Sequence, residues 1–155
     1  MWEARLVGGA TSMVNLIIHA LLMAIVVRTV QRLSVAQGSF IYDLVQRTVV
    51  IVATGTLLVA GHYVEVILWA FTYGLAEAAA PGTDLVYFAF GNYTTLGYGD
   101  VLPVERWQML GPLTALNGIM LIGWSTAVIL EVLRRTDHGA VKSPKTAPDT
   151  AKSGS

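Results

Sequence analysis

The chain has 155 residues, of which 54% are apolar and 13% charged, roughly half the charged share usual in soluble proteins. Its mean hydropathy of +0.60 indicates that lipid is the solvent for most of the chain. The formal net charge of zero gives no sign of a nucleic-acid partner, and the lack of cysteine excludes disulfides, thiol chemistry and cysteine-ligated metals. At this length we expect a single domain.

The first apolar segment runs from Leu6 to Val27 without a charge. As a helix it measures about 33 Å, enough to cross a hydrocarbon core of about 30 Å. Ser12, Asn15 and His19 fall on one stripe of this helix and are predicted to face protein. We interpret them as interhelical hydrogen-bonding groups, with a ligand or proton site as the alternative. Residues 1–30 are therefore predicted to form a transmembrane helix.

A polar connector and a second span come next. Residues 31–47 contain the break Gly38-Ser39 among apolar side chains, and we expect them to lie along the cytoplasmic membrane surface. An outer helix is predicted over 48–76, and it carries two ionisable groups, His62 and Glu65.

A short, interrupted segment separates the second span from the third. Pro81-Gly82 ends the preceding helix, and Thr83 can cap a pore helix over 84–94 of roughly 16 Å, half of a bilayer. Residues 95–100 then read Thr-Leu-Gly-Tyr-Gly-Asp. Two glycines around one aromatic residue allow backbone angles that turn successive carbonyls to one side. Because irregular backbone at membrane depth must be buried in protein or line water, we predict a re-entrant hairpin around a pore.

An inner helix is predicted over 107–135 and a disordered cytoplasmic tail over 136–155. The predicted fold is thus an all-α membrane protein with three transmembrane helices, a re-entrant pore helix and a filter loop. Lysine and arginine concentrate on one side, which predicts a cytoplasmic connector and C-terminus and an extracellular filter entrance. The residues on that side are Arg28, Arg32, Arg47, Arg134, Arg135, Lys142, Lys145 and Lys152.

From Thr48 to Arg135 the sequence resembles the small bacterial-type tetrameric potassium channels with two transmembrane helices and one pore loop. The resemblance rests on Thr-Leu-Gly-Tyr-Gly-Asp at 95–100 and on the Asp-x-x-Pro-x-x-x-Trp spacing from Asp100 to Trp107. In that family, filter carbonyls replace the water shell of a dehydrated K⁺. The resemblance implies a multi-pass homotetramer in the cell membrane whose partners are its own copies, membrane lipids and K⁺, with no other cofactor.

The resemblance also assigns roles to individual residues. The filter strand would bind K⁺ at the first four of its residues; it comprises Thr95, Leu96, Gly97, Tyr98 and Gly99. Asp100 corresponds to the carboxylate behind the filter mouth, Tyr87 to the aromatic donor that holds it, and Thr94 to the end of the pore helix. Gly118 lies near the inner-helix glycine regarded as a gating hinge, and close packing is an equally good reason for it.

Three features depart from the family pattern. Leu96 replaces the usual valine or isoleucine, and Gly91 stands where some members carry a glutamate paired with the filter aspartate. The helix over residues 1–30 is additional to the two-helix plan, and without regularly spaced arginines it is not a voltage sensor.

His62 and Glu65 lie on one face of the outer helix. A carboxylate near the bilayer centre costs about 2.5–3.5 kcal/mol on insertion scales, so Glu65 needs a partner. A hydrogen-bonded brace to the pore helix is the favoured interpretation, with proton sensing as the alternative. A metal site is disfavoured because one histidine and one glutamate are too few ligands per chain.

The leading functional hypothesis is a potassium-selective channel. A weakly selective cation channel and a non-conducting membrane subunit are the alternatives. An enzyme is not expected, because the sequence contains no nucleophile elbow, phosphate loop or metal-ligand motif.

Overall fold

The computed structural model describes residues 2–33 and 40–141, which form helices and connecting turns with no strand among them. The α-helices are α1 (Trp2–Leu33), α2 (Phe40–Leu75), α3 (Leu85–Tyr93) and α4 (Leu110–Val141). Within these described residues, three segments are long and apolar enough to cross a membrane: Trp2–Val30, Leu44–Leu75 and Glu105–Arg134. The predicted all-α membrane fold is therefore confirmed.

Two helices extend beyond their predicted bounds. α2 begins at Phe40, eight residues before the predicted Thr48, so residues 40–47 continue the outer helix and do not form a separate surface segment. Nothing in that stretch stops a helix, since the glycine of the predicted break precedes it. α4 continues to Val141, and the remainder of the predicted tail, 142–155, lies outside the described residues, as do 34–39 of the connector.

The short helix α3 is capped by Asp84, whose carboxylate accepts hydrogen bonds from the backbone N–H of Val86 at 3.0 Å and of Tyr87 at 3.1 Å. The N-cap is thus Asp84 and not the predicted Thr83. The Asp84 carboxylate accepts from two otherwise free backbone amides, and its negative charge is stabilised by the positive end of the helix dipole. With nine residues, α3 is about 14 Å long, less than half of a hydrocarbon core of about 30 Å.

The additional helix α1 packs against both α2 and α4. Near the filter end it joins a core that includes Trp69, Tyr73 and Leu110, and near the opposite end Met23, Val26 and Val30 join a second core. Lipid is as apolar as these side chains, so close packing and hydrogen bonds hold the helices together. Close approach is visible at Gly8, where an added Cβ would lie 2.6 Å from Leu113 Cδ1 of α4.

The start of α1 lies at the same end of the molecule as the segment that follows the filter. Glu3 of α1 accepts from the Arg106 guanidinium, with Oε2 3.1 Å from Nε and 2.5 Å from Nη2. A short 3₁₀ turn, Glu105–Trp107, leads from this point into α4. The Val104 amide donates to the Ala78 carbonyl at 2.8 Å, which ties the exit of the filter segment to the turn that follows α2.

Candidate functional site

The filter strand is the name used for the irregular segment Thr95–Gly99, which directly follows α3 and is not a β-strand. Positive φ angles occur at every second residue along it. The φ angles of Thr95, Gly97 and Gly99 are 60°, 50° and 79°, whereas those of Leu96 and Tyr98 are not positive. Such alternation lets successive carbonyl oxygens point to one side of an extended strand. The two glycines stand where positive φ is required, which is the backbone property that the sequence pattern predicts.

Thr95 has a positive φ that the sequence gives no reason to expect. A β-branched residue is a genuine outlier in the left-handed region and costs roughly 1–3 kcal/mol there. The end of α3 holds it: the Thr95 amide donates to the Asn92 carbonyl at 3.1 Å, and the Gly97 amide donates to the Gly91 carbonyl at 3.3 Å. The Thr94 hydroxyl donates to the Phe90 carbonyl at 2.7 Å. The pore helix therefore positions the filter strand through its last turn.

The filter strand is exposed in the single chain. Every residue from Thr94 to Asp100 is exposed, and the fractions reach 53% for Leu96 and 72% for Tyr98. A segment of this kind cannot face lipid, because its backbone polar groups would lose water without gaining partners. Neighbouring protein or a water-filled pore must cover it.

Asp100, at the end of this segment, is hydrogen-bonded to the Tyr87 side chain of α3. This hydrogen bond is the main cause that raises the pKa of the Tyr87 hydroxyl above its ordinary value, and the nearby carboxylate charge acts in the same direction. Tyr87 therefore remains a neutral donor. The contact links the first turn of the pore helix to the outer end of the filter strand.

Gly118 of α4 lies against the C-terminal end of α3. A Cβ added there would lie 1.9 Å from the Tyr93 carbonyl oxygen and 2.8 Å from its carbonyl carbon. Both are backbone atoms that cannot move aside without shifting the filter. Close packing thus accounts for this glycine, and bending at the same position stays a prediction.

Glu65 of α2 is fully buried and has three side-chain partners. Its Oε1 lies 2.8 Å from His19 Nδ1 of α1, and its Oε2 lies 3.0 Å from His62 Nδ1. The Tyr93 hydroxyl of α3 donates to Oε2 at 2.5 Å and lies 2.9 Å from His62 Nδ1. The expected brace from the outer helix to the pore helix is confirmed by the contact with Tyr93.

Ser125 of α4 completes this group. Its Oγ lies 2.9 Å from His62 Nε2 and 3.4 Å from His19 Nε2, so both rings meet the same hydroxyl. The five side chains, hereafter the polar cluster, come from all four helices: His19, His62, Glu65, Tyr93 and Ser125. The ligand atoms of both histidines and of Glu65 lie within 4.8 Å of one another, the spacing of groups that could hold a metal ion.

The premise that only one histidine and one glutamate are available per chain is therefore wrong, because α1 supplies a third ligand. His19 was placed correctly on a protein-facing stripe, as was Asn15, which donates to Asn117 Oδ1 at 3.0 Å. The periodicity of the sequence identified the buried face of α1, but it did not identify which turn of α2 packs against that face. No motif or spacing in the sequence singles out Ser125.

A family model described as an ion channel matches residues 49–135, from the first turns of α2 to the last turns of α4. This range is more than half of the chain and contains the pore helix and the filter strand, while α1 lies outside it. Searches of curated proteins and of solved structures found no match.

Proposed function

Because the chain belongs to the ion channel family, we propose that it is a potassium-selective channel in which K⁺ passes through residues 95–99 of four identical chains. The protein is a membrane protein with three helices able to span a bilayer. Potassium selectivity and the tetramer are the parts proposed here.

The observation that carries the proposal is the alternation of positive φ at Thr95, Gly97 and Gly99. A strand with this backbone can offer a ladder of carbonyl oxygens, and such oxygens replace the water that K⁺ loses on entering a filter. K⁺ would bind at Thr95, Leu96, Gly97 and Tyr98. Leu96 contributes through its backbone, so its side chain does not remove a ligand.

Exposure of the filter strand supports assembly around an axis. In one chain the strand and the Tyr87 face of the pore helix are open, and the polar backbone between them needs cover at membrane depth. Copies of the same chain supply that cover most simply, because closed symmetric oligomers are the usual solution. The C-terminal end of each α3 would then direct its partial negative charge toward the shared axis and favour a cation there.

The proposed orientation places the filter entrance outside the cell membrane. The ion pair between Glu3 and Arg106 puts the start of α1 at the filter end, so the basic end of α1, the start of α2 and the end of α4 lie at the opposite end. The positive-inside rule assigns that basic end to the cytoplasm.

Reversal potentials of the purified protein in planar bilayers test the proposal. With K⁺ on one side and Na⁺ on the other, a potassium-selective filter gives a reversal potential far from zero, with the sign that the K⁺ gradient sets. A value near zero identifies the second candidate, a weakly selective cation channel, which is motivated by Leu96 because its side chain packs behind the filter differently from valine. Absence of any current from protein that assembles normally identifies a non-conducting subunit.

A further inference from the structure

The polar cluster has the composition of a metal-binding site. Two histidines and one carboxylate form a ligand set that Zn²⁺ takes in proteins, with the fourth position filled by water or another oxygen. In the described residues these three ligands come from α1 and α2, and His19 and Glu65 are 1% and 0% exposed. Imidazole ligands favour zinc and its neighbours over Mg²⁺ or Ca²⁺, which prefer oxygen.

The three ligand atoms are close enough for side-chain movements to bring them around one ion. In a tetrahedral zinc site with ligands at about 2.0–2.1 Å, ligand atoms lie roughly 3.3 Å apart. The two Nδ1 atoms lie 2.8 and 3.0 Å from the two oxygens of Glu65, and all three ligand atoms lie within 4.8 Å of one another, so side-chain movements of about an ångström would bring them around one ion. The Tyr93 hydroxyl, 2.9 Å from His62 Nδ1, lies within reach of the fourth position.

Ser125 is placed to hold both rings in the tautomer that leaves their Nδ1 lone pairs free to bind a metal ion. Its hydroxyl oxygen can accept two hydrogen bonds but donate only one. Because Nε2 of His19 and Nε2 of His62 both meet this oxygen, both are satisfied at once when each carries the proton on Nε2. Each Nδ1 then directs a lone pair toward the Glu65 carboxylate.

In that tautomer, a cation between the rings and the carboxylate would take the place of the protons that the two Nδ1 atoms otherwise donate to Glu65. Metal-ligating histidines commonly donate their other ring N–H to an oriented acceptor, and Ser125 is placed to be that acceptor for both rings. We propose that His19, His62 and Glu65 bind one divalent transition-metal ion of the Zn²⁺ class per chain. The ion clamps α1, which lies outside the family match, to α2 at the end of the pore helix.

The site lies close to the filter strand. Tyr93, which bonds Glu65, is two residues before Thr95, and its carbonyl packs on Gly118. A metal ion in the polar cluster therefore rigidifies the base on which the filter strand rests. The expected consequences of metal binding are a higher Tm and slower dissociation of α1 from the other helices.

Cobalt provides a direct probe of this site. The full chain, purified in detergent and stripped with a chelator, is titrated with Co²⁺ and followed by visible absorption. The proposal expects intense tetrahedral bands that saturate at one Co²⁺ per chain and disappear when Zn²⁺ is added. Absence of saturable tetrahedral bands overturns it and leaves protons as the only cations of the cluster.

Variants locate the binding. His19→Gln is expected to abolish the bands, while His138→Gln, a matched change at the one other histidine of the chain, leaves them intact. Ser125→Ala is expected to weaken Co²⁺ binding by about 10–100-fold, because both rings lose their acceptor. A His19→Gln titration equal to wild type refutes the assignment. The wild-type titration decides the question even if a variant misfolds.

The measurement is independent of the proposed function. It is made on solubilised protein without ion gradients, so failure of potassium selectivity leaves its outcome unchanged. Conversely, a chain that conducts K⁺ but gives no cobalt bands contradicts only the metal site.

Discussion

Tyr93, the last residue of α3, lies between two regions of opposite character. Its hydroxyl belongs to the polar cluster, whose members are partnered within one chain and come from four helices. The segment that begins one residue later, Thr94 to Asp100, is exposed and is held at its start by backbone hydrogen bonds to α3. The polar cluster therefore has its hydrogen-bond partners within a single chain, whereas the exposed segment requires other protein or water to cover it.

This difference suggests separate roles for the two regions: the polar cluster stabilises the fold, and the filter strand serves the proposed permeation. The polar cluster and the cores around it hold α1, α2, α3 and α4 together within one chain. The filter strand contributes strained backbone and exposed side chains, which the proposed assembly of several copies around K⁺ would use. Substitutions in the polar cluster should therefore reduce folding, and substitutions in the filter strand should reduce conduction in protein that folds normally.

The largest effect on conduction is expected for Gly99→Ala. Gly99 has a φ of 79°, and an alanine in the left-handed region costs about 1–2 kcal/mol in each chain. The strand should therefore change conformation and K⁺ flux into liposomes should be lost, with the thermal unfolding of the membrane-embedded chain little altered. Gly9→Ala is the matched control, because an added Cβ there meets nothing within 4 Å. Normal flux through Gly99→Ala would contradict the role of the strand.

The largest effect on stability is expected for Glu65→Gln. The change removes the charge that two histidines and Tyr93 share, and loss of one partner from a buried ionic network costs about 3–5 kcal/mol. Chemical unfolding in detergent micelles measures the free energy of unfolding. Glu105→Gln, at an exposed position, serves as the control. Equal stability of the two variants would mean that the polar cluster does not hold the helices together.

Gly118→Ala distinguishes packing from bending. The added methyl group would overlap the Tyr93 carbonyl, and overpacking of this kind costs about 1–3 kcal/mol, so unfolding should occur at lower denaturant. Gly123→Ala in the same helix meets nothing within 4 Å and should stabilise by up to about 1 kcal/mol. If Gly118→Ala stabilises as much as its control, the glycine acts as a hinge and not as a contact.

The smallest effect is expected for Tyr87→Phe, which removes the hydrogen bond to Asp100. Because the pKa of Tyr87 is raised in the folded protein, the bond contributes fully below the ordinary pKa of 10.0 and is lost as pH rises through the higher folded value. Single-channel recordings at neutral pH should show more frequent closures than wild type. Tyr42→Phe, at an exposed position of α2, should leave the recordings unchanged. Identical records for both variants would remove Tyr87 from the support of the filter.

The sequence was sufficient for the three long apolar helices, for the short helix between the second and the third, and for the positive φ angles of Gly97 and Gly99, because each follows from local composition and glycine placement. It was insufficient for the polar cluster. His19 and Glu65 are 46 residues apart, and their contact depends on how deeply α1 packs against α2. Periodicity gives the buried face of a helix but not its axial position against a neighbour. The same limit applies to Gly118, whose partner, the Tyr93 carbonyl, is set by tertiary packing.

The central claim is that residues 95–99 of several chains meet on one axis and bind dehydrated K⁺ through their carbonyl oxygens. Diffraction from the assembled protein with Tl⁺ in place of K⁺ tests it most directly, because Tl⁺ is located by its anomalous scattering. The account predicts a single file of Tl⁺ peaks on a fourfold axis beside Thr95, Leu96, Gly97 and Tyr98. Peaks absent from that axis, or a filter strand packed against lipid or other side chains, would contradict it.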